Sequence, residues 1–348
     1  MGNDSKYMLR CLELAAKGKG NVAPNPMVGS VIVLNDVIIG EGYHMKYGEA
    51  HAEVNAVANV TDKSLLSQST LYVNLEPCSH FGKTPPCASL IVEHKFKRVV
   101  IGAHDTNELV AGKGIEKLKS AGIDVTVGVL EKECKELNKR FYTFHEKNRP
   151  YIILKWAQTS DGFLDISRNE NEQEKRLKIT NEHSNALSHS WRSEEQAIMV
   201  GKNTAILDNP MLTVRNTSGK NPLRIATDRN LTIPNNYALL DKSTPTVIFT
   251  SADAVSEKNL EYIKIDFDEA IIPQMMRKLV EKNIQSLIVE GGTHLLDSFI
   301  AAEIWDEARV FIADKKIGDG VNAPSLKEKP MSKEDVNGDV LLRYKNEN

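Results

Sequence analysis

The run LYVNLEPCSHFGKTPPCASLIVEHKFKRVVIG, Leu71–Gly102, decides how this chain folds. Leu71–Leu75 and Val99–Gly102 are apolar and of strand length, and Cys87–His94 between them repeats its apolar residues at helical spacing. A strand, a helix and a second strand in that order imply parallel neighbours in a covered sheet. Reading upstream, His51–Val60 predicts a helix, and Val28–Leu34 with Val37–Tyr43 predicts a hairpin turning at Asn35-Asp36. Asp4–Lys17 predicts an opening helix with Asn3 or Asp4 as its N-cap. Downstream, Gly114–Ala121 reads as helix, Val125–Gly128 as strand and Glu131–Phe144 as one closing helix.

The polar segment His145–Pro150 marks a boundary, dividing the chain into domains 1–147 and 148–348. The second half restarts with a strand at Tyr151–Ala157 and continues with strands at Ala197–Gly201, Leu223–Thr227, Thr246–Thr250, Ser286–Glu290 and Ala308–Ile312. The charged stretch Ser167–Lys178 reads as an exposed loop, and the polar tail from Lys327 as a mobile end. Both halves are α/β with a largely parallel sheet.

With 348 residues, 41% hydrophobic and 26% charged, the chain has the balance of a globular two-domain protein. A formal net charge of -3 offers no excess for a nucleic-acid or anionic-membrane partner. Its apolar runs are strand-sized, too short to span a bilayer. Four cysteines, at positions 11, 78, 87 and 134, are too few for a disulfide-stapled secreted domain, so a cytoplasmic location is expected.

The chemistry is carried by His51-Ala52-Glu53, then Glu76-Pro77-Cys78, then Cys87. One imidazole and two thiolates suit Zn²⁺ and leave a fourth tetrahedral position for water. Zinc held in this way lowers the pKa of that water toward neutrality, and Glu53, two residues from His51, is placed to shuttle its proton. Zinc nucleobase deaminases use this set with a Cys-x-x-Cys pair, whereas here eight residues, Ser79–Pro86, separate the cysteines. Singly, each piece has a plainer reading: His-Ala-Glu as a helix start, a lone Cys as a small hydrophobe. Cys11 and Cys134 keep that plainer reading.

Asn25-Pro26-x-Val28-Gly29, Gly42-x-His44, His51-Ala52-Glu53 and the run Glu76–Cys87 resemble the deaminase half of bacterial bifunctional riboflavin biosynthesis proteins, a family in which the long insert between cysteines is usual. The resemblance implies a cytidine-deaminase-like three-layer α/β/α domain. It implies that Asn25, His44, Ser79 and Lys83 hold a pyrimidine bearing a ribose phosphate. Read alone, Asn25-Pro26 is a turn, His44 a surface imidazole and Lys83 a solvated charge.

Motifs in the second half are individually weaker. Lys155–Gly162 is a strand running into an Asp-Gly turn, and Val200-Gly201-Lys202-Asn203-Thr204 is a strand entering a helix that Asp208-Asn209-Pro210 ends. Val289-Glu290-Gly291-Gly292-Thr293 ends a buried strand in Glu and opens a helix on two glycines, where a cofactor phosphate can approach bare backbone. With Ile179-Thr180, Trp191-Arg192, Leu212-Thr213-x-Arg215 and Asn221–Ile225, these resemble the dihydrofolate-reductase-like half of the same family. The likeness implies an NADPH site lined by Gln158, Thr180, Thr204, Asp208, Gly292 and Thr293. It places Lys155, Arg192, Leu212, Arg215 and Glu290 toward the substrate, the arginines suiting its phosphate. Lys178, where an aromatic residue is usual, and Ala157-Gln158 depart from the family pattern.

The resemblance covers nearly the whole chain and implies zinc-dependent deamination of a diamino-ribosylamino-pyrimidinone phosphate, then NADPH-dependent reduction of its ribosyl group to ribityl, by a homodimer or higher homo-oligomer. Two rivals remain distinct. An editing deaminase acting on tRNA or single-stranded DNA requires a basic strand-binding face. A structural zinc module requires a fourth protein ligand, for which His80 is the candidate.

Overall fold

A computed structural model describes residues 3–80, 85–107, 111–168 and 177–347, which divide into two compact units, Met1–Asn148 and Arg149–Asn348. In the first unit α1 (Asn3–Ala16) leads into the hairpin β1 (Gly29–Leu34) and β2 (Val37–Tyr43), followed by α2 (Ala52–Ala58), β3 (Thr70–Leu75), α3 (Cys87–Glu93), β4 (Arg98–Ala103), α4 (Lys113–Ser120) and β5 (Asp124–Val127). Two helices, α5 (Glu131–Leu137) and α6 (Lys139–Lys147), close it. Among the described residues these strands form one five-stranded sheet in the order β2-β1-β3-β4-β5. The hairpin turns where expected because Asn35 (φ 48°) and Asp36 (φ 61°) both take the left-handed conformation of a type I′ turn.

This sheet is mixed rather than largely parallel. β1 runs antiparallel to both β2 and β3, and only β3, β4 and β5 are parallel, joined through α3 and α4. Met8, Cys11 and Leu14 of α1 pack with Val31, Val33 and Leu75 on one face. Ala56, Ile91 and Leu118 of α2, α3 and α4 pack with Leu71, Val73 and Ile101 on the other. With helices on both faces, β1 is buried along nearly its whole length and reads as a continuous apolar run.

Two local expectations are corrected. Asp4 does not serve as a cap: its carboxylate accepts from Arg98 Nη1 and Nη2 at 3.0 and 2.9 Å and from the Tyr72 hydroxyl. The single helix over 131–144 is interrupted at Asn138 (φ -101°, ψ 23°), whose side chain reaches across to the backbone of Met27.

The second unit begins with β6 (Tyr151–Thr159) and the short β7 (Phe163–Asp165), then α7 (Glu182–Glu194), β8 (Ala197–Val200), α8 (Lys202–Asp208), β9 (Leu223–Thr227), β10 (Thr246–Thr250) and β11 (Leu260–Lys264). It continues with α9 (Ile271–Glu281), β12 (Ser286–Glu290), α10 (Thr293–Ala301), β13 (Glu307–Ala313), β14 (Val321–Asn322), β15 (Ser332–Val336) and β16 (Asp339–Lys345). Among the described residues its main sheet has nine strands, ordered β11-β10-β9-β8-β12-β6-β13-β16-β15, and β7 pairs with β14 apart from it. The seven strands from β11 to β13 are parallel. Met275, Leu279, Leu296 and Phe299 of α9 and α10 cover one face, and Trp191, Ala205 and Ile206 of α7 and α8 cover the other.

The polar tail is ordered, contrary to expectation. β16 adds antiparallel to β13 and β15 folds back on it, with Leu341 fully buried. The turn is Asn337 (φ 54°) and Gly338 (φ 95°), a hairpin dipeptide that the sequence displays openly. Of the charged stretch 167–178, residues 169–176 lie outside the described residues.

Candidate active sites

In the first unit the ligand atoms of His51, Cys78 and Cys87 all lie within 4.8 Å of one another. His51 Nδ1 stands 3.5 Å from Cys78 Sγ and 3.3 Å from Cys87 Sγ, and the Cys87 amide donates to Cys78 Sγ at 3.3 Å. These separations suit ligands that share one metal at bonds of about 2.0–2.3 Å, so the residues fit zinc. Among the described residues no fourth His, Cys, Asp or Glu joins the group, and His80 is exposed, so the structural-zinc reading lacks its fourth ligand. Cys11 and Cys134 are buried in the core.

Each ligand is held by a different device. His51 stands at the N-cap of α2, and Cys87 is the first residue of α3. Cys78 follows β3 through Glu76, whose carboxylate is a structural anchor. Its Oε1 accepts from the amides of Gly114 and Ile115 at 3.0 and 3.2 Å, and its Oε2 from Gly112 and Asp105 at 3.1 and 3.3 Å. α2 lies hard against β2 because Gly42 has no side chain: a Cβ there would sit 2.5 Å from the Ala56 nitrogen. Asn55 and Asn59 then donate to the Tyr43 and Glu41 carbonyls of this edge strand, both at 2.9 Å.

Glu53 is 3% exposed on the buried side of α2. Burial first, and the negative Cys78 sulfur second, raise its carboxyl above the ordinary range. Asn25 Nδ2 approaches His44 Nε2 at 3.1 Å, and His44 Nδ1 lies 3.0 Å from the Ala50 carbonyl. A carbonyl only accepts, so Nδ1 carries the proton and Nε2 accepts from Asn25. Burial lowers the His44 pKa, in keeping with that neutral tautomer. The His44 and His51 rings meet edge to face at 5.4 Å. Ser79 follows Cys78 directly, and Lys83 lies outside the described residues.

In the second unit two groups assemble. Glu290 ends β12 beside Lys155 of β6, the two being register partners, with Lys155 Nζ 3.8 Å from the carboxylate. Arg192 of α7 grips the same carboxylate through Nε and Nη2 at 2.9 and 2.6 Å. Burial opposes the charge on Glu290, but Arg192 and Lys155 outweigh it and bring its pKa down to about 2. The segment carrying Leu212 and Arg215 is tied to α7: Arg192 Nη1 donates to the Thr213 carbonyl at 3.3 Å, and His189 Nδ1 accepts from the Arg215 amide at 3.1 Å. Leu212 is buried with φ 51°, and the Arg215 side chain is exposed.

The other group is the Gly291-Gly292 turn, with φ 94° and 75°, packed on Thr204 of α8. A Cβ at Gly292 would lie 3.1 Å from Thr204 Oγ1, so the turn sits close on Thr204 where α10 begins at Thr293. Two glycines at the N-terminus of α10 fit a cofactor phosphate. Thr293 Oγ1 donates to the Asn322 carbonyl at 2.6 Å. Asp208 pairs with Arg168, whose guanidinium also holds Asp165. Gln158 accepts the Trp156 indole N–H at 2.8 Å, and Thr180 is half-buried just ahead of α7.

Sequence reasoning did not single out His189, Arg168, Asn55, Asn74 or Asn138. Asn138 and Asn55 carried a local signal, as poor helix formers inside helical stretches. The others are ordinary polar residues until the fold gives them partners.

A His-Cys-Cys metal cluster beside a buried glutamate, in a chain continued by a mostly parallel nine-stranded sheet with a Gly-Gly cradle, defines a metallo-deaminase joined to a reductase-type domain. Residues 1–103 match the cytidine and deoxycytidylate deaminase zinc-binding region, and residues 150–345 match the RibD C-terminal domain. The chain belongs to the RibD family of riboflavin biosynthesis proteins. It is 40% identical to riboflavin biosynthesis protein RibD of Aquifex aeolicus (strain VF5) over 98% of each chain. It is 42% identical to that of Bacillus amyloliquefaciens, covering 92% of this chain and 86% of the relative. Among solved structures, a deaminase/reductase of Thermotoga maritima superposes with a TM-score of 0.89 at 34% identity over 99% of each chain. RibD of Acinetobacter baumannii superposes at 0.88 and 30% identity over 98% of each chain.

Proposed function

We propose that residues 1–147 deaminate a diaminopyrimidinone ribosyl phosphate and that residues 148–348 then reduce its ribosyl group with NADPH. The protein is a bifunctional enzyme of riboflavin biosynthesis, and the convergence of His51, Cys78 and Cys87 beside buried Glu53 carries the reading. Zinc held by these three supplies a Lewis acid that brings a water's pKa near neutrality. Glu53 takes the proton at its carboxylate and passes it to the departing amine. The ring carbon gains oxygen, its bond to nitrogen breaks and ammonia leaves. Asn25 and His44 hold the pyrimidine, neutral His44 orienting an Asn25 amide that keeps its oxygen and one N–H to offer, and Ser79 and Lys83 hold its ribosyl phosphate.

NADPH supplies the hydride for the second step. Gly292 and Thr293 with Thr204 receive the cofactor, with Gln158, Thr180 and Asp208 along its site. The arrangement at Glu290, which Arg192 and Lys155 both approach, supports a substrate-facing role for Lys155, Arg192, Leu212, Arg215 and Glu290, the two arginines suiting the phosphate by their forked donors. The balanced charge and cysteine content support a cytoplasmic enzyme, and none of the described helices is long and apolar enough to cross a membrane. A homodimer through the second domain completes the reading. An editing deaminase is not favoured, because both halves match one small-molecule family.

The deciding experiment supplies the diaminopyrimidinone ribosyl phosphate and NADPH and follows mass. Amine-to-oxo exchange followed by gain of two hydrogens is expected. Glu53→Gln is expected to lose ammonia release by at least about a hundredfold while still reducing supplied deaminated intermediate. Normal deamination by that variant would remove Glu53 from the mechanism.

A further inference from the structure

We propose that Asn138, seconded by Asn74, is a positioning residue for deamination, fixing the loop that presents Asn25 to the substrate. The proposal rests on the reading of Asn25 and His44 as pyrimidine contacts. Asn138 interrupts the helix between α5 and α6, is 3% exposed, and uses both ends of its amide on one residue. Its Oδ1 accepts the Met27 N–H at 2.8 Å and its Nδ2 donates to the Met27 carbonyl at 2.9 Å, as a neighbouring strand would. Asn74, fully buried in β3, donates to the same carbonyl at 3.1 Å and accepts the Gly29 N–H at 2.8 Å.

Four buried hydrogen bonds therefore hold Met27–Gly29 from two elements distant in sequence. Both functional side chains depend on this short segment. Asn25 lies two residues upstream, across Pro26, and the Val28 carbonyl accepts the His44 N–H at 2.9 Å. None of the four bonds touches His51, Cys78, Cys87 or Glu53, so the clamp governs where the pyrimidine sits rather than the metal or the proton shuttle. A side-chain amide is required because it must both accept and donate. In Asn138→Asp, an acceptor would face the Met27 carbonyl and repel it.

The test measures deamination kinetics, zinc content and reduction of supplied intermediate for Asn138→Asp, Asn25→Ala and the double variant. Expected for Asn138→Asp is a KM for deamination raised about tenfold or more with kcat within about threefold, zinc still bound and reduction unaltered. The double variant is expected to be no worse than Asn25→Ala, because the clamp acts through that side chain. Should Asn138→Asp fail to accumulate, Asn74→Ala gives the same direction at smaller size. Additive losses, loss of zinc, or a fall in kcat at unchanged KM overturn the proposal. A raised KM in Asn25→Ala beside an unaltered Asn138→Asp overturns this proposal alone, whereas an unaltered Asn25→Ala overturns the substrate reading and this proposal with it.

Discussion

Glu290 and His189 are buried titratable side chains near the same arginine, and their environments place them in consecutive pH windows. Burial, then Arg192 and Arg215, lower His189 from 6.5 to about 4. The unfolded chain therefore binds a proton that the folded chain refuses. The stability contributed by neutral His189 is complete above pH 6.5 and is lost as pH falls toward 4. Glu290 repeats the pattern lower down: its contribution is present above 4.5 and is lost as pH falls toward about 2. All three tryptophans, Trp156, Trp191 and Trp305, lie in the second unit, so their fluorescence reports its unfolding alone. The tryptophan-detected urea midpoint of the native chain is expected to fall between pH 6.5 and 4.5. His189→Gln, which still offers an acceptor to the Arg215 amide, should flatten that slope. An unchanged slope in the variant would clear His189 of responsibility.

At the scale of elements, two packing contacts set the outcome. α2 carries both His51's cap and Glu53, and its distance from β2 is set by Gly42. Gly42→Ala forces a methyl within 2.5 Å of the Ala56 nitrogen, so the helix must retreat. Overpacking of this kind costs about 1–3 kcal/mol. Deamination and zinc retention are expected to fall while the tryptophan-detected melt stays put. The β15–β16 hairpin gives the converse case. Gly338 has φ 95°, and a β-branched residue there is strained by about 1–3 kcal/mol. Gly338→Val should lower the tryptophan-detected melt and spare deamination, read from ammonia release. The hairpin was legible in Asn337-Gly338 and the alternating residues beyond it, but the surrounding charge concealed it. The interruption at Asn138 was far less legible, because helical periodicity continues through it and its cause lies at Met27.

Across the whole molecule, each unit has its own sheet with apolar clusters on both faces. No residue of the metal cluster belongs to the second unit. Chelation of the intact protein is therefore expected to abolish ammonia release while reduction of supplied intermediate continues. Circular dichroism of the chelated protein should show an earlier first transition, with the tryptophan-detected one unmoved. Loss of both activities together on chelation would contradict this separation.

Much of the architecture and the metal set are local facts. His51, Glu53, Cys78 and Cys87 declare themselves by residue type and spacing, and the restart at Tyr151 by renewed strand periodicity. The I′ turn at Asn35-Asp36 is equally local, since backbone conformation there follows from the two residues themselves. The antiparallel pairing of β1 with β3 was decided only by tertiary structure. So were the anchoring of Glu76 on four amides, the Arg192–Glu290 fork and the double-asparagine hold on Met27. The reason is physical: a polar side chain acquires its role from the partner that desolvation obliges it to find. Those partners lie 29 to 111 residues away along the chain and become neighbours only when the sheets close.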